Sequence, residues 1–364
     1  MHSERWYQIA LTLIPHTGPV LRKRLIAAFG SASALFSASR KELKGVEGIS
    51  ENAARQILDW NNFNAVDSEM RFIEKQQIQP LFITDPAYPQ RLLQCPDPPT
   101  LLYWKGQANL NAARVISIIG TRNNSPYGKQ VTETLVSSLP EDVLIVSGMA
   151  FGIDAIAHKA ALNNQLSTVG VLAHGLDDLY PAQHWGLAKE MQHRGGLLTE
   201  FNQNTRADKY NFPRRNRIVA GMADATIVIE TAAKGGSMIT ADLAFDYNRE
   251  LFAVPGRLND PKSEGCLKLI VQNKAAVYTS AGSLLETMGW GEEKIKHKTL
   301  AEIMAVLSEE EQQILRILKD KIPFTVDDLQ HKAGLNSSRM AAALLNLEMQ
   351  QLIQIIPGKM IALT

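Results

Sequence analysis

The feature that most constrains the fold is a series of short apolar runs that begins at Arg114: VISIIG, VLIVSG, TVGVLAHG, LLTEF, ATIVIE, LFAVPG and AAVYTS, with helical stretches between them. Runs this apolar, rich in β-branched residues, suit strands buried on both faces of a parallel sheet. Strands that alternate with helices make βαβ units. Residues 79–292 are therefore expected to form a doubly wound α/β domain, in which ligands bind beyond the carboxyl ends of the strands.

Two other segments flank it. Residues 1–78 carry amphipathic helical patterns such as WYQIALTLI and PVLRKRLIAAFG. Between two of these patterns lies GVEGIS, with Gly45 and Gly48. It resembles a helix-hairpin-helix turn, as in SAM-like domains, whose N–H groups can face a DNA phosphate. A tight connection in a small helical domain is the favoured reading, because the signal is two glycines. The lead-in DPAYPQRLLQCPDPPTLLYWKG holds five prolines, which exclude a long helix and suggest an extended path. Residues 300–364 read as helix, helix, helix, hairpin, a winged-helix order. SEEEQQILRILKD opens this unit with a capping box of Ser308 and Glu311.

Composition excludes some classes. No apolar run is long enough to span a bilayer, and the N-terminus reads as a first helix and not as a leader. The two cysteines, Cys95 and Cys266, are far apart, which suits a reducing compartment and gives no thiolate metal site. A cytoplasmic protein is expected, without membrane contact. The formal net charge of +1 says nothing about nucleic acid, so any basic patch must be local.

FPRRNR, Phe212–Arg217, is such a patch, with three arginines in four residues. With Arg206 and Lys209 before it and helix NRIVAGMAD after it, it reads as a basic loop at a helix N-terminus. Arginines are disfavoured there by the macrodipole, so a negative group should lie nearby. Arginine with aromatic Tyr210 and Phe212 suits single-stranded nucleic acid. Pairing with Glu200, Asp208 or Asp224 would account for the same residues structurally.

Three more strand-end loops carry glycine and small polar residues. In IIGTRNNSPYG, Gly120, Thr121 and Arg122 precede a helix, which makes an anion site. In VSGMAFGIDAIAH, Ser147 and Gly148 allow close backbone approach, and Asp154 is a candidate cap. Asp154 and His158 share a helix face, but spacing places no third metal ligand, so a structural polar pair is expected. In ETAAKGGSMITADLA, Lys234, Gly236 and Ser237 form another phosphate-cradling loop.

IIGTR, VSGMAFGIDAIAH, FPRRNRIVAG, GGSMITADLA and FAVPG, in this order, resemble the DNA-processing protein A family, DprA/Smf. The resemblance covers about residues 85–280. It implies an extended Rossmann-like sheet that binds single-stranded DNA taken up in natural transformation, protects it, and loads RecA recombinase onto it. It also implies a homodimer built on that sheet; binding without catalysis and without a cofactor is the expectation. Its implied DNA contacts fall on Gly120, Thr121, Arg122, Ser147, Gly148, Phe212, Arg215, Asn216, Arg217, Gly236 and Ser237. The charge reading adds Arg214 and Lys234. Two departures stand out: Leu267 replaces an amide residue after Gly265 and Cys266, and Asn273 replaces a usual glycine, which asparagine's tolerance of positive φ allows.

Two rivals remain. GGSMITAD resembles the loop of nucleotide phosphoribohydrolases, with Asp242 in the place of their glutamate. A duplex-DNA regulator would use the winged helix, yet NSSRMAAALLNLEMQQ offers one cation, Arg339. Acidic residues offset Arg316, Lys319, Lys321 and Lys332 elsewhere in that unit. A protein-contact role suits it at least as well.

Overall fold

The computed structural model describes residues 2–290, 307–318, 324–349, 352–356 and 360–363. It groups them into two compact units, residues 1–287 and 288–364.

The first unit opens with helices α1 (Glu4–Leu13), α2 (Pro19–Phe29), α3 (Ala32–Phe36), α4 (Arg40–Lys44), α5 (Glu51–Asp59) and α6 (Phe63–Lys75). Their starts follow from local chemistry. Ser3, Ser31, Ser39 and Ser50 each accept an N–H of the first turn, and Glu42 completes a capping box with Ser39. The GVEGIS segment is the turn between α4 and α5, with Gly48 at φ +80°. Beside it, Arg40 and Lys44 both pair with Glu51.

The sheet follows: β1 (Gln79–Phe82), α7 (Gln90–Leu93), β2 (Leu101–Gly106), β3 (Arg114–Ile119), α8 (Pro126–Ser137), β4 (Val143–Ser147), α9 (Ile153–Asn163), β5 (Thr168–Val171), α10 (Trp185–Arg194), β6 (Gly196–Thr199), α11 (Asn211–Met222), β7 (Ala225–Val228), α12 (Gly236–Asp246), β8 (Glu250–Ala253), α13 (Glu264–Val271), β9 (Ala276–Val277) and α14 (Ala281–Thr287). All seven apolar runs become strands. The sheet has nine strands in the order β1-β2-β6-β5-β4-β3-β7-β8-β9. From β6 to β9 the pairs are parallel; β2 is antiparallel to both β1 and β6. The lead-in is therefore not only extended chain: LLYWKG is β2, and QPLF before the lead-in is β1.

The core runs from Trp6, Ile9 and Leu25 of the helical segment, through Phe82, Leu102 and Tyr103, to Val146, Val171 and Ile218. The change near residue 78 is thus one of element type and not a break in packing. Asn273 does adopt positive φ, at +54°.

Within the second unit, α15 (Glu309–Ile317), α16 (Val326–Ala333) and α17 (Ser337–Met349) accompany β10 (Phe324–Thr325), β11 (Ile353–Ile356) and β12 (Met360–Leu363). The capping box of Ser308 and Glu311 forms. The expected hairpin is β11–β12, and β10 adds a third strand on the other side of β12. Lys319 and Lys321 lie outside the described residues.

Candidate nucleic-acid interface

The strand order reverses between β3 and β7. From β3 the chain proceeds to β4, β5 and β6 on one side, and from β7 to β8 and β9 on the other. Loops after such neighbours diverge and leave a crevice at the carboxyl edge. A cleft of about 610 Å³ occupies that position. It is lined by loops or helix starts after β3 (Gly120, Thr121, Arg122), β4 (Gly148, Ala150, Asp154), β6 (Lys209, Phe212, Arg215, Asn216) and β7 (Thr231, Gly236, Ser237).

The loops are knitted by their own backbone. Ile153 N–H donates to the Thr121 carbonyl and Thr121 N–H to the Glu230 carbonyl, at 3.2 and 2.7 Å. Gly152 is at φ +78°, and a Cβ there would lie 2.2 Å from the Thr121 oxygen, so only glycine fits. The N-terminus of α8 is not an open anion site. The buried Glu230 carboxylate accepts the Ser125 N–H at 2.9 Å and the Ser125 hydroxyl. The chain supplies the anion itself. In contrast, α12 opens at Gly235 without a side-chain cap, and Gly236 and Ser237 of its first turn line the cleft.

FPRRNR is not a loop. α11 begins at Asn211, so all six residues are helical, with Pro213 in the first turn, where its missing N–H costs nothing. The helix sends the three arginines different ways. Arg214 is exposed, lies over the Phe201 ring at 4.9 Å, and is 3.9 Å from Glu200. Arg217 is buried, 2.5 Å from Glu200, and bonded to the Asp97 carbonyl. Arg215 is buried at the cleft wall, where it donates to the Val171 carbonyl at 2.6 Å and to Asn216 Oδ1 at 3.1 Å. Burial lowers the Arg215 pKa, against the attraction of nearby Asp154. Glu200 and Asp154 are thus the negative groups that the basic helix start calls for. Of the other expected acids, Asp224 pairs with Arg91 at 2.5 Å, and Asp208 accepts the Tyr210 N–H.

Arg122 is exposed, sits 5.0 Å from the Phe212 ring centre, and has no carboxylate partner among the described residues. Lys209 joins it in the lining. Its signal, a cation in TRADKY just before the aromatic pair, was present in the sequence without singling it out as a site residue. Of the expected contacts, Gly120, Thr121, Arg122, Gly148, Phe212, Arg215, Asn216, Gly236 and Ser237 line the cleft; Ser147, Arg214, Arg217 and Lys234 do not. Ser147 is buried, and its hydroxyl donates to the Ile118 carbonyl at 2.6 Å. Leu267 also lies outside the lining.

Asp154 and His158 bond to different partners. Asp154 accepts the Ala150 N–H at 3.2 Å in place of capping α9, whose N-cap is Gly152. Burial raises the Asp154 pKa, with Arg215 opposing. His158 lies between the Gly148 carbonyl at 2.6 Å and the Thr168 hydroxyl at 2.7 Å. A carbonyl only accepts, so Nε2 carries the proton and Nδ1 accepts from Thr168. Burial pushes the imidazole pKa down to about 4. Neutral His158 thereby fixes Gly148 at the cleft. Asp242 is outside the cleft lining and is paired with Lys274 at 2.6 Å.

The arrangement can hold successive anions: exposed cations, an aromatic face and an uncapped helix N-terminus surround it. Asp154 is the one carboxylate in the described lining, and it is turned to Arg215 and Ala150.

Comparison with known proteins agrees with this geometry. The family model described as DNA recombination-mediator protein A matches residues 79–289, and that of the DprA winged helix domain matches residues 301–359. Protein Smf of Synechocystis sp. is 35% identical over 297 residues, which covers 79% of this chain and 73% of that protein. The X-ray structure of DNA processing protein A from Streptococcus pneumoniae superposes with TM-score 0.68 at 28% identity, over 77% of this chain and 97% of that one. DNA processing protein A from Helicobacter pylori, whose structure was described for its single-stranded DNA binding mode, gives TM-score 0.53 at 32% identity. That match covers 58% of this chain and 97% of that one. With its strand-end motifs gathered at one cleft and both family models matched, the chain belongs to the DNA recombination-mediator protein A (DprA/Smf) family.

Proposed function

We propose that this protein binds single-stranded DNA in the cleft at the switch point, without catalysis, protects DNA internalised during natural transformation, and loads RecA recombinase onto it. The observation that carries the reading is the cleft lining. Arg122 and Lys209 are exposed cations that share the lining with Phe212 and the uncapped start of α12. Cations that track phosphates, with an aromatic for a base, suit single strands. Membership of the family supports the role in transformation and the transfer to RecA. The binding role without turnover draws support from Asp242, which is held by Lys274 away from the cleft, and from Asp154, which is engaged by Arg215. General acid–base work needs a group free to exchange its proton with substrate.

The protein acts in the cytoplasm as a homodimer. No helix of the described residues is long and apolar enough to cross a membrane. Val271 and Val277, 80% and 45% exposed near the β9 edge of the sheet, suit a face covered by a second copy. The winged helix serves protein contact in preference to duplex DNA. On α17, Ala341, Ala342 and Leu345 are exposed, and its one cation, Arg339, is 3.3 Å from Glu310.

The test is RecA nucleation on single strands already coated with a single-strand-binding protein, with and without this chain. Faster nucleation, together with binding of single strands far tighter than of duplex, supports the proposal. Turnover of a nucleoside monophosphate, or equal affinity for duplex, contradicts it.

A further inference from the structure

Past the cleft, on its β4–β5 side, the surface carries a run of exposed aromatic rings. Phe151 follows β4 and is 44% exposed; Tyr180 and Trp185 follow β5 and are 49% and 60% exposed. All three come after strands whose carboxyl ends form the same edge as the cleft. Phe151 and Tyr180 line a recess that shares Arg122, Ala150, Phe212 and Arg215 with it. Two of the rings pack against neighbours. Tyr180 lies 5.9 Å from Phe212, and Phe151 stands edge-on to His184 at 5.0 Å. His184 Nδ1 is 3.0 Å from the Met149 carbonyl. Trp185 comes next and opens α10, and exposed Lys189 lies one turn further on the same face.

The exposed acidic neighbours Asp177 and Asp178 are each engaged by a backbone N–H, of Asn204 and of Leu179. Exposed Glu190 lies next to Lys189 in the chain, on a different face of α10. On the other side of the switch point, the groove formed by Ser125–Tyr127 and Pro255–Ser263 has one exposed aromatic, Tyr127, whose hydroxyl donates to the Pro255 carbonyl. Asp260 sits there with Arg257. Among the described residues, exposed rings thus follow β4 and β5 on this side, whereas the groove on the other offers Tyr127; Tyr210, 69% exposed, stays at the start of α11 beside Lys209.

We infer that Phe151 and Trp185 form a base-stacking track, with Lys189 as its phosphate contact, along which a single strand leaves the cleft toward β5. The inference rests on the reading of the cleft as a single-strand site. It adds a direction and a second contact zone that short oligonucleotides do not reach.

The test is fluorescence anisotropy with oligothymidines of about 8 and about 20 nucleotides, for wild type, Phe151→Ala and Trp185→Ala. Both variants should bind the long oligonucleotide about tenfold more weakly and the short one as wild type does. The long oligonucleotide should quench tryptophan emission in wild type and not in Trp185→Phe. Equal binding of the long strand by wild type and both variants overturns the track and leaves the cleft reading intact. Equal losses for both lengths also overturn it, because the rings would then act through the cleft itself. A wild type that binds neither oligonucleotide overturns the cleft reading, and the track with it.

Discussion

Arg214, Arg215 and Arg217 lie in the first two turns of α11, yet only Arg215 lines the cleft. Helical spacing of about 100° per residue separates them. Arg217→Ala should destabilise the protein by about 3 kcal/mol in urea unfolding, because it removes the close buried cation of Glu200 and leaves the exposed Arg214 at 3.9 Å. Arg214→Ala should stay within about 0.5 kcal/mol of wild type, because its side chain is 54% exposed and its acid is 3.9 Å away. The cluster was legible in the sequence, and so was the need for a negative group. Which arginine takes that group was not, since it depends on the register of α11. Arg122 was legible, because a cation after a strand and before a helix start reaches the carboxyl edge in any doubly wound fold.

Elements set the shape of the site. The strand–helix alternation implies the parallel sheet, because the central runs are buried on both faces, as VLIVS of β4 is along its whole length, while β9 at the sheet edge is exposed. β1 escapes the pattern since QPLF has a proline and a polar residue, and β2 since its partner, β6, is remote in sequence. The start of α11 is not legible, because Pro213 reads as the breaker of a helix in whose first turn it instead sits. His158 links α9 to the cleft through Gly148. Its folded pKa lies below the ordinary 6.5, at about 4. The stability it gives is present above pH 6.5 and is lost as pH falls toward 4. Urea unfolding from pH 7 down to 4 should show a loss on the order of 3 kcal/mol that His158→Gln lacks. A parallel pH slope in the variant would place the titrating group elsewhere.

At the scale of the whole molecule, the first unit is continuous where sequence suggested two domains. Glu69 of α6 shows the join. Buried, it accepts the Gln203 N–H at 3.1 and 3.2 Å, in the loop that leads to Lys209 and α11. Burial raises its carboxyl pKa from 4.5 to about 7. Its stabilising contribution is therefore present below pH 4.5 and is lost as pH rises toward 7, opposite in sign to that of His158. In Glu69→Gln that falling slope, on the order of 3 kcal/mol, should vanish from the urea-unfolding profile. The central claim is that phosphates are held at the carboxyl edge of the sheet. Arg114 and Arg122 test it, since one opens β3 at the far edge and the other follows its carboxyl end. The decisive measurement is single-strand affinity against salt concentration for wild type, Arg122→Glu and Arg114→Glu. Arg122→Glu should weaken binding about tenfold or more and make the logarithmic salt slope shallower by about 0.7 for each phosphate no longer neutralised. Arg114→Glu should leave both unchanged. Equal slopes and affinities for wild type and Arg122→Glu, or an equal loss in Arg114→Glu, would contradict the account.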